Sequence, residues 1–197
     1  PPQAGECTYD RTGERCMTQR RAAQRVHYGL APIEALAGAG AQVMRVMFVG
    51  AHGQQMVAIS FLREAGREPR VEVRTAAATV EGMTADVLAA MWDALAEDGR
   101  HLDPLPTSSG DASPPCLESW TVIVETADQT GIRRRTEDSC SGPLTTAYAH
   151  RLAKAALSLL PACALLDPDY REATRLARCT MLSGDRMAAA QAFNRFS

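Results

Sequence analysis

The sequence predicts an α+β fold: an antiparallel sheet built from a three-stranded meander and a disulfide-stapled hairpin, with helices packed on one face and a helical pair at the C-terminus. Three observations predict it. Apolar residues alternate with a period of two over 43–75, the pattern of half-buried strands. Amphipathic helical spacing replaces that period after Thr84 and again after Thr145. Finally, Cys116 and Cys140 flank a second alternating segment, with the turn-forming Asp128 almost midway between them.

A chain of 197 residues holds one sizeable core. The expected division is a stapled α+β domain over 1–163 and a helical extension over 164–197 packed on it. Hydrophobic residues make up 46% and charged residues 22%, as in a folded globular chain, but aromatics are only 5%, so Val, Leu, Met and Ala must fill the core. A formal net charge of −2 lacks the basic excess of a nucleic-acid binder. Lys154 is the only lysine among 21 basic residues, the bias of a GC-rich bacterial genome. No uninterrupted apolar run of about 18 residues offers a membrane span.

Six cysteines form an even set, and none has the C-x-x-C spacing of zinc knuckles or thioredoxin-like sites. Disulfides are therefore expected in preference to metal, which places the chain in the periplasm or outside the cell. The absence of a leader at Pro1 fits the mature part of an exported protein.

Along the chain, Cys7 and Cys16 bracket a short polar segment that a local bond would close. A helix over 17–28 follows, and Pro32, Gly38 and Gly40 restrict any next helix to a brief one. A two-residue turn at His52-Gly53 then sets Phe48 opposite Val57, Val46 opposite Ile59 and Met44 opposite Phe61, all on one face. The other face is mixed, with Arg45, Met47, Val49, Met56, Ala58 and Ser60, and calls for partial cover. The third strand starts at Arg70 after the turn EAGREP.

Thr84 reads as the N-cap of a helix ending at Gly99, with Met83, Val87, Leu88, Met91, Trp92 and Leu95 on one stripe. Residues 102–115, rich in Pro, Ser, Gly and Asp, read as a surface loop. In the second hairpin, a register centred on Asp128 pairs Cys116 with Cys140, Trp120 with Thr136, Val122 with Arg134 and Val124 with Ile132. A helix capped by Thr145 buries Tyr148, Leu152, Ala155, Ala156 and Leu159. Hairpin, loop and Thr-capped helix thus occur twice, as expected of a repeated ββα unit.

The tail reads as two short helices, 167–182 and 183–196, meeting at Gly184-Asp185. With its small residues and Gly-Asp turn this pair resembles a tetratricopeptide-type helix-turn-helix. A single unit implies a helical cap and carries no binding residues over. For Cys163 and Cys179 two arrangements stand: a bond to each other, which is favoured, or bonds to Cys7 and Cys16.

Chemistry leaves little trace. His27, His52, His101 and His150 lack zinc-site spacing, G-x-S-x-G is absent, and GAGAQ precedes a strand instead of opening a helix, so no cofactor or metal is expected. The most informative surface is the outward face of the second hairpin, where Thr121, Ile123 and Glu125 are expected beside Arg133 and Arg135, with Trp120 inward and Arg134 along it. Arginine forks suit carboxylates and phosphates, although Glu and Arg on a solvated strand also pair with each other.

The expected function is therefore an exported binding or interaction protein. Its partner would be an unknown protein or anionic ligand of the cell envelope, without nucleic acid or a membrane span. The alternatives are an envelope-associated hydrolase with a site assembled from His52, Glu125 and Arg134, or a structural homo-oligomer.

Overall fold

The computed structural model describes residues 14–50, 57–82, 85–102, 120–138, 143–166 and 171–194. Helices α1 (Glu14–His27) and α2 (Ile33–Gly38) precede strands β1 (Gln42–Val49), β2 (Ala58–Arg63), β3 (Arg70–Arg74) and β4 (Thr79–Gly82). Helix α3 (Ala85–Arg100), strands β5 (Thr121–Asp128) and β6 (Gly131–Asp138), and helices α4 (Pro143–Leu159), α5 (Pro161–Ala164) and α6 (Glu172–Asn194) follow. The strands form one six-stranded antiparallel sheet in the order β4-β3-β2-β1-β5-β6. The α+β class read from the two periods is the class observed.

The first hairpin has the expected register. Met44 faces Phe61 and Val46 faces Ile59, while the Phe48 N–H donates to the Val57 carbonyl at 3.0 Å. All six side chains enter the main core; the expected turn at His52-Gly53 lies outside the described residues. Strand β4 has no forerunner in the sequence pattern, because four residues with exposed alternate positions give no usable alternation. The Thr75 hydroxyl turns the chain into it by accepting from the Ala77 and Ala78 N–H groups.

Leu88, Trp92 and Leu95 of α3, Tyr148, Leu152 and Leu159 of α4, and Ala173 and Leu176 of α6 pack on this core face. Val87, expected on the α3 stripe, is half exposed. The other face is covered as well. Tyr28 and Leu30 pack on Met47, Ala58 and Ile123, and Ile33 packs on Val43, Leu62 and Ala127. Helices therefore lie on both faces, because the apolar positions of the mixed face suffice to bury the α1–α2 region.

The second hairpin departs from its expected register. Val124 pairs with Arg135 instead of Ile132, and Ile123, not Trp120, pairs with Thr136. The cause is the turn. Asp128 accepts hydrogen bonds from the N–H and hydroxyl of Thr130, and Gly131 takes a φ of +128°, so the loop is Gln129-Thr130, between paired Asp128 and Gly131. An odd shift of three residues turns every β6 side chain to the opposite face. It also removes the geometric ground for facing Cys116 with Cys140. Those two cysteines, with Cys7, lie outside the described residues, and nothing is described of the Cys16 side chain.

At the C-terminus one continuous helix, α6, replaces the two helices and the turn that carried the tetratricopeptide resemblance. Ser183 back-bonds to the Cys179 carbonyl at 2.9 Å, and Gly184 sits where a Cβ would come within 2.7 Å of Ala78 Cβ. That glycine marks a close approach to the β3–β4 turn, not a break. Helix α4 starts at Pro143 rather than at a Thr145 cap, consistent with the preference for proline in a first turn. Both α3 and α4 lie on one face, as the repeat requires, but β4 stands before α3 and has no counterpart among the described residues before α4.

Cys163 and Cys179 are bonded, with their Cα atoms 5.2 Å apart, so the favoured sequential pairing is the one observed. Short helix α5 brings Cys163 back over α6. Replacing both cysteines by alanine is expected to lower unfolding free energy by about 3 kcal/mol, the loop-closure effect for a separation of 16 residues. Urea unfolding of the oxidised wild type and the double variant measures it.

Candidate functional site: the cross-sheet polar row and the arginine grooves

On the α1–α2 face a single row of side chains crosses all six strands: Glu81, Glu72, Ser60, Arg45, Glu125 and Arg134, each a ladder partner of the next. Glu125 at 0% and Arg45 at 2% exposure are its buried centre. Arg25 of α1 donates to Glu125 Oε1 at 2.7 Å, and Arg45 Nη1 reaches Oε2 at 3.3 Å. Arg45 also donates to Ser60 Oγ at 3.1 Å and to the Ala31 carbonyl at 2.9 Å. Arg134 approaches Glu125 Oε1 at 3.7 Å and pairs with Glu34 of α2. Glu72 is bracketed by Arg70 and Arg74 at 3.0 Å each.

Burial pulls the Arg45 guanidinium below its ordinary value, against the opposing charge and hydrogen bond of Glu125. Arginine nonetheless stays charged in proteins, so Arg45 keeps its positive charge within the row. Its position explains why this face holds two apolar clusters instead of one: Met47 and Ile123 lie on one side of it, Val43 and Ala127 on the other.

Two grooves open on the opposite side of β5 and β6, against α3. The first, of about 230 Å³, is lined by Arg63, Trp92, Asp93, Arg100, Asp128 and Arg133 among others. Arg63 stacks 4.5 Å above the Trp92 ring. Asp128 is held below the usual aspartate range: burial pushes it up, but the Thr130 hydrogen bonds and the Arg133 and Arg100 charges outweigh that. The second groove, of about 250 Å³, is lined by Gly99, Leu102, Val124, Thr126, Arg133, Arg134 and Arg135, with no acid among them. The two share Thr126 and Arg133.

Of the residues expected to share one surface, Arg133 and Arg135 are indeed neighbours on one face. Glu125 is not with them. It faces the other side of the sheet with both oxygens engaged by Arg25 and Arg45. Ile123 is likewise buried there. Arg134 lies beside Glu125, not along Trp120.

Trp120 stacks on Phe48 with centroids 5.2 Å apart and meets His150 edge-on at 5.5 Å, with Arg171 5.8 Å over its ring. It precedes β5, about 20 Å along the strand from Thr126. Of the residues named for a hydrolase site, Glu125 is fully buried and Arg134 lies 3.7 Å from it, while His52 lies outside the described residues. Among those residues no group of His, Cys, Asp and Glu is arranged to hold a metal ion, and no helix is long and apolar enough to cross a membrane.

Sequence reading places Arg45 on the mixed face and Trp92 on the α3 stripe without expecting a site at either, and it gives Arg25, Arg63 and Arg100 no role. A charge inside each apolar run, Arg45 in VMRVMF and Glu125 in VIVETA, was the available signal for the row. No protein-family model, curated protein or solved structure matches the chain.

Glu125→Gln leaves Arg45 buried without its counter-charge and is expected to cost about 3–5 kcal/mol in chemical unfolding. Replacing the pair together, Arg45→Met with Glu125→Leu, should cost less than that single change. Asp128 supplies stability that is complete above its unfolded value, about 3.9, and is lost as pH falls through its lower folded value. In Asp128→Asn, melting temperature should accordingly fall less steeply between about pH 5 and pH 3.

Proposed function

We propose that the chain is an exported binding protein whose ligand face is the pair of connected grooves between α3 and the β5–β6 hairpin. One observation carries the reading: Arg133 and Arg135 of an edge strand turn to the same side and line a groove with no acid among its lining residues. Clefts with a few convergent polar groups are where ligands are generally found. A guanidinium fork recognises carboxylate or phosphate. The Cys163–Cys179 bond supports export, because such bonds persist in the periplasm and outside the cell. The partner accordingly belongs to the cell envelope and presents negative charge.

A photo-crosslinking amino acid in place of Gln129, exposed in the hairpin turn and lining the first groove, tests this in cells that export the protein. A discrete adduct, small molecule or protein, is expected by intact mass. The adduct should disappear in Arg133→Ala/Arg135→Ala and persist in Arg67→Ala, whose side chain is 70% exposed in the β2–β3 turn. No adduct, or one indifferent to the double change, removes the reading.

A further inference from the structure

The second groove has a chemical asymmetry that its outline alone does not convey. Thr126 is only 8% exposed, yet its Oγ1 is buried without a hydrogen-bond partner in the structure. A buried hydroxyl left unpaired is destabilising, so this position asks for an acceptor. Beside it, Arg135 Nε is also buried and makes no hydrogen bond. Its ion-pair partner, Glu137 Oε1, lies 3.1 Å away but off the line of the N–H. Two residues that line one groove thus each hold a buried donor with no aligned acceptor just beneath its surface, and Arg133 completes its basic wall.

The remaining wall is apolar. Leu102 and Val124 line it, and Gly99 leaves the α3 end bare. A side chain at 99 has no room: a Cβ there would meet Tyr148 Oη at 2.8 Å and Thr126 Cγ2 at 3.4 Å. The absence of that side chain lets α3 close on β5 while keeping Thr126 at the groove floor. At about 250 Å³ the space falls short of the roughly 300–1,000 Å³ typical of drug-sized ligands. It therefore suits a small acid or a single head group.

We infer that the second groove binds a small organic oxyanion, a carboxylate or phosphate monoester with a short apolar body. Its oxygens accept from Thr126 Oγ1 and the Arg135 guanidinium, with Arg133 alongside, and its body lies against Leu102 and Val124. This rests on the binding reading above and names the ligand chemistry of that site. The Arg135 guanidinium turns from Glu137 towards the incoming anion, and no covalent step is involved.

Calorimetric titration of the full chain with hexanoate, hexyl phosphate, acetate, inorganic phosphate and hexanol separates the contributions. Hexanoate or hexyl phosphate is expected to bind, and whichever binds more tightly identifies the head group. Acetate and inorganic phosphate should be at least tenfold weaker for want of the apolar body, and hexanol should not bind. Thr126→Val, nearly isosteric, is expected to weaken the better ligand by about tenfold, as is Arg135→Ala. Arg67→Ala should leave it unchanged, and unaltered circular dichroism shows that the variants fold.

Failure of both hexyl acids to bind at millimolar concentration overturns the inference, as does equal affinity in Thr126→Val and Arg135→Ala. If the Gln129 photo-adduct still forms and still depends on Arg133 and Arg135, the binding function stands and only this ligand class falls. If the hexyl acids bind as expected but no adduct forms in cells, the groove chemistry is right and the envelope partner is not.

Discussion

Glu125 is the residue to which the rest of the sheet answers. A carboxylate in the middle of an interior strand with no exposed surface needs its charge and both oxygens met from within the protein. One partner, Arg45, comes from the neighbouring strand, and the other, Arg25, comes from α1. Arg45 in turn draws on Ser60 of β2 and on the Ala31 carbonyl between α1 and α2. The seating of both N-terminal helices and the alignment of three strands are therefore tied to one buried acid. Other ties to the sheet include Arg21 of α1 to Thr136 and Tyr28, just past α1, to the Phe48 carbonyl.

Such a cluster contributes little net stability compared with a well-packed apolar alternative, because desolvation of each ion costs several kcal/mol. Its physical effect here is selective. A one-residue slip of β5 would take Glu125 away from Arg25 and Arg45 and carry it into the face that holds the main core. The same slip would bring Val124 or Thr126 opposite Arg45. Register is thus defended by the penalty on alternatives more than by the energy of the observed pair. The three consecutive arginines of β6 follow from it. Arg134 must face Glu125, so Arg133 and Arg135 must face α3, and the groove inherits its basic wall from a constraint on the other side of the sheet.

Much of this was legible in the sequence. The first hairpin, its register and its six core side chains follow from strict alternation, which survives because both strands bury the same face. The α3 and α4 stripes follow from helical spacing. Alternation alone misplaces the register of the second hairpin because its turn is set by a side chain, Asp128 accepting from Thr130, and not by a backbone signal such as Asn-Gly. That local detail shifted the pairing by three residues and so exchanged the faces of all β6 residues. Sequence also divides α6 at Gly184, since a glycine beside Asp is a turn signal. Only the proximity of Ala78 shows why a helix interior requires it. The grooves were invisible for a further reason: Arg63, Trp92, Arg100 and Arg133 come from three separate elements and share no spacing.

The C-terminal region solves a related problem by different means. Helix α6 has weakly amphipathic character along its length, but Leu176, Ala177 and Cys179 reach the same core as Phe48 and Ile59. Twelve residues separate α4 from α6, and α5 begins the return with Pro161 at its first position. A disulfide at Cys163 then pins the reversal to the second turn of α6. A small-residue contact at Gly184 and Ala78 holds the far part of the helix against the β3–β4 turn. The polar row orders one face of the sheet and this pinned helix closes the other. The edge strand β6 ends the polar row with Arg134 on one face and presents Arg133 and Arg135 on the other.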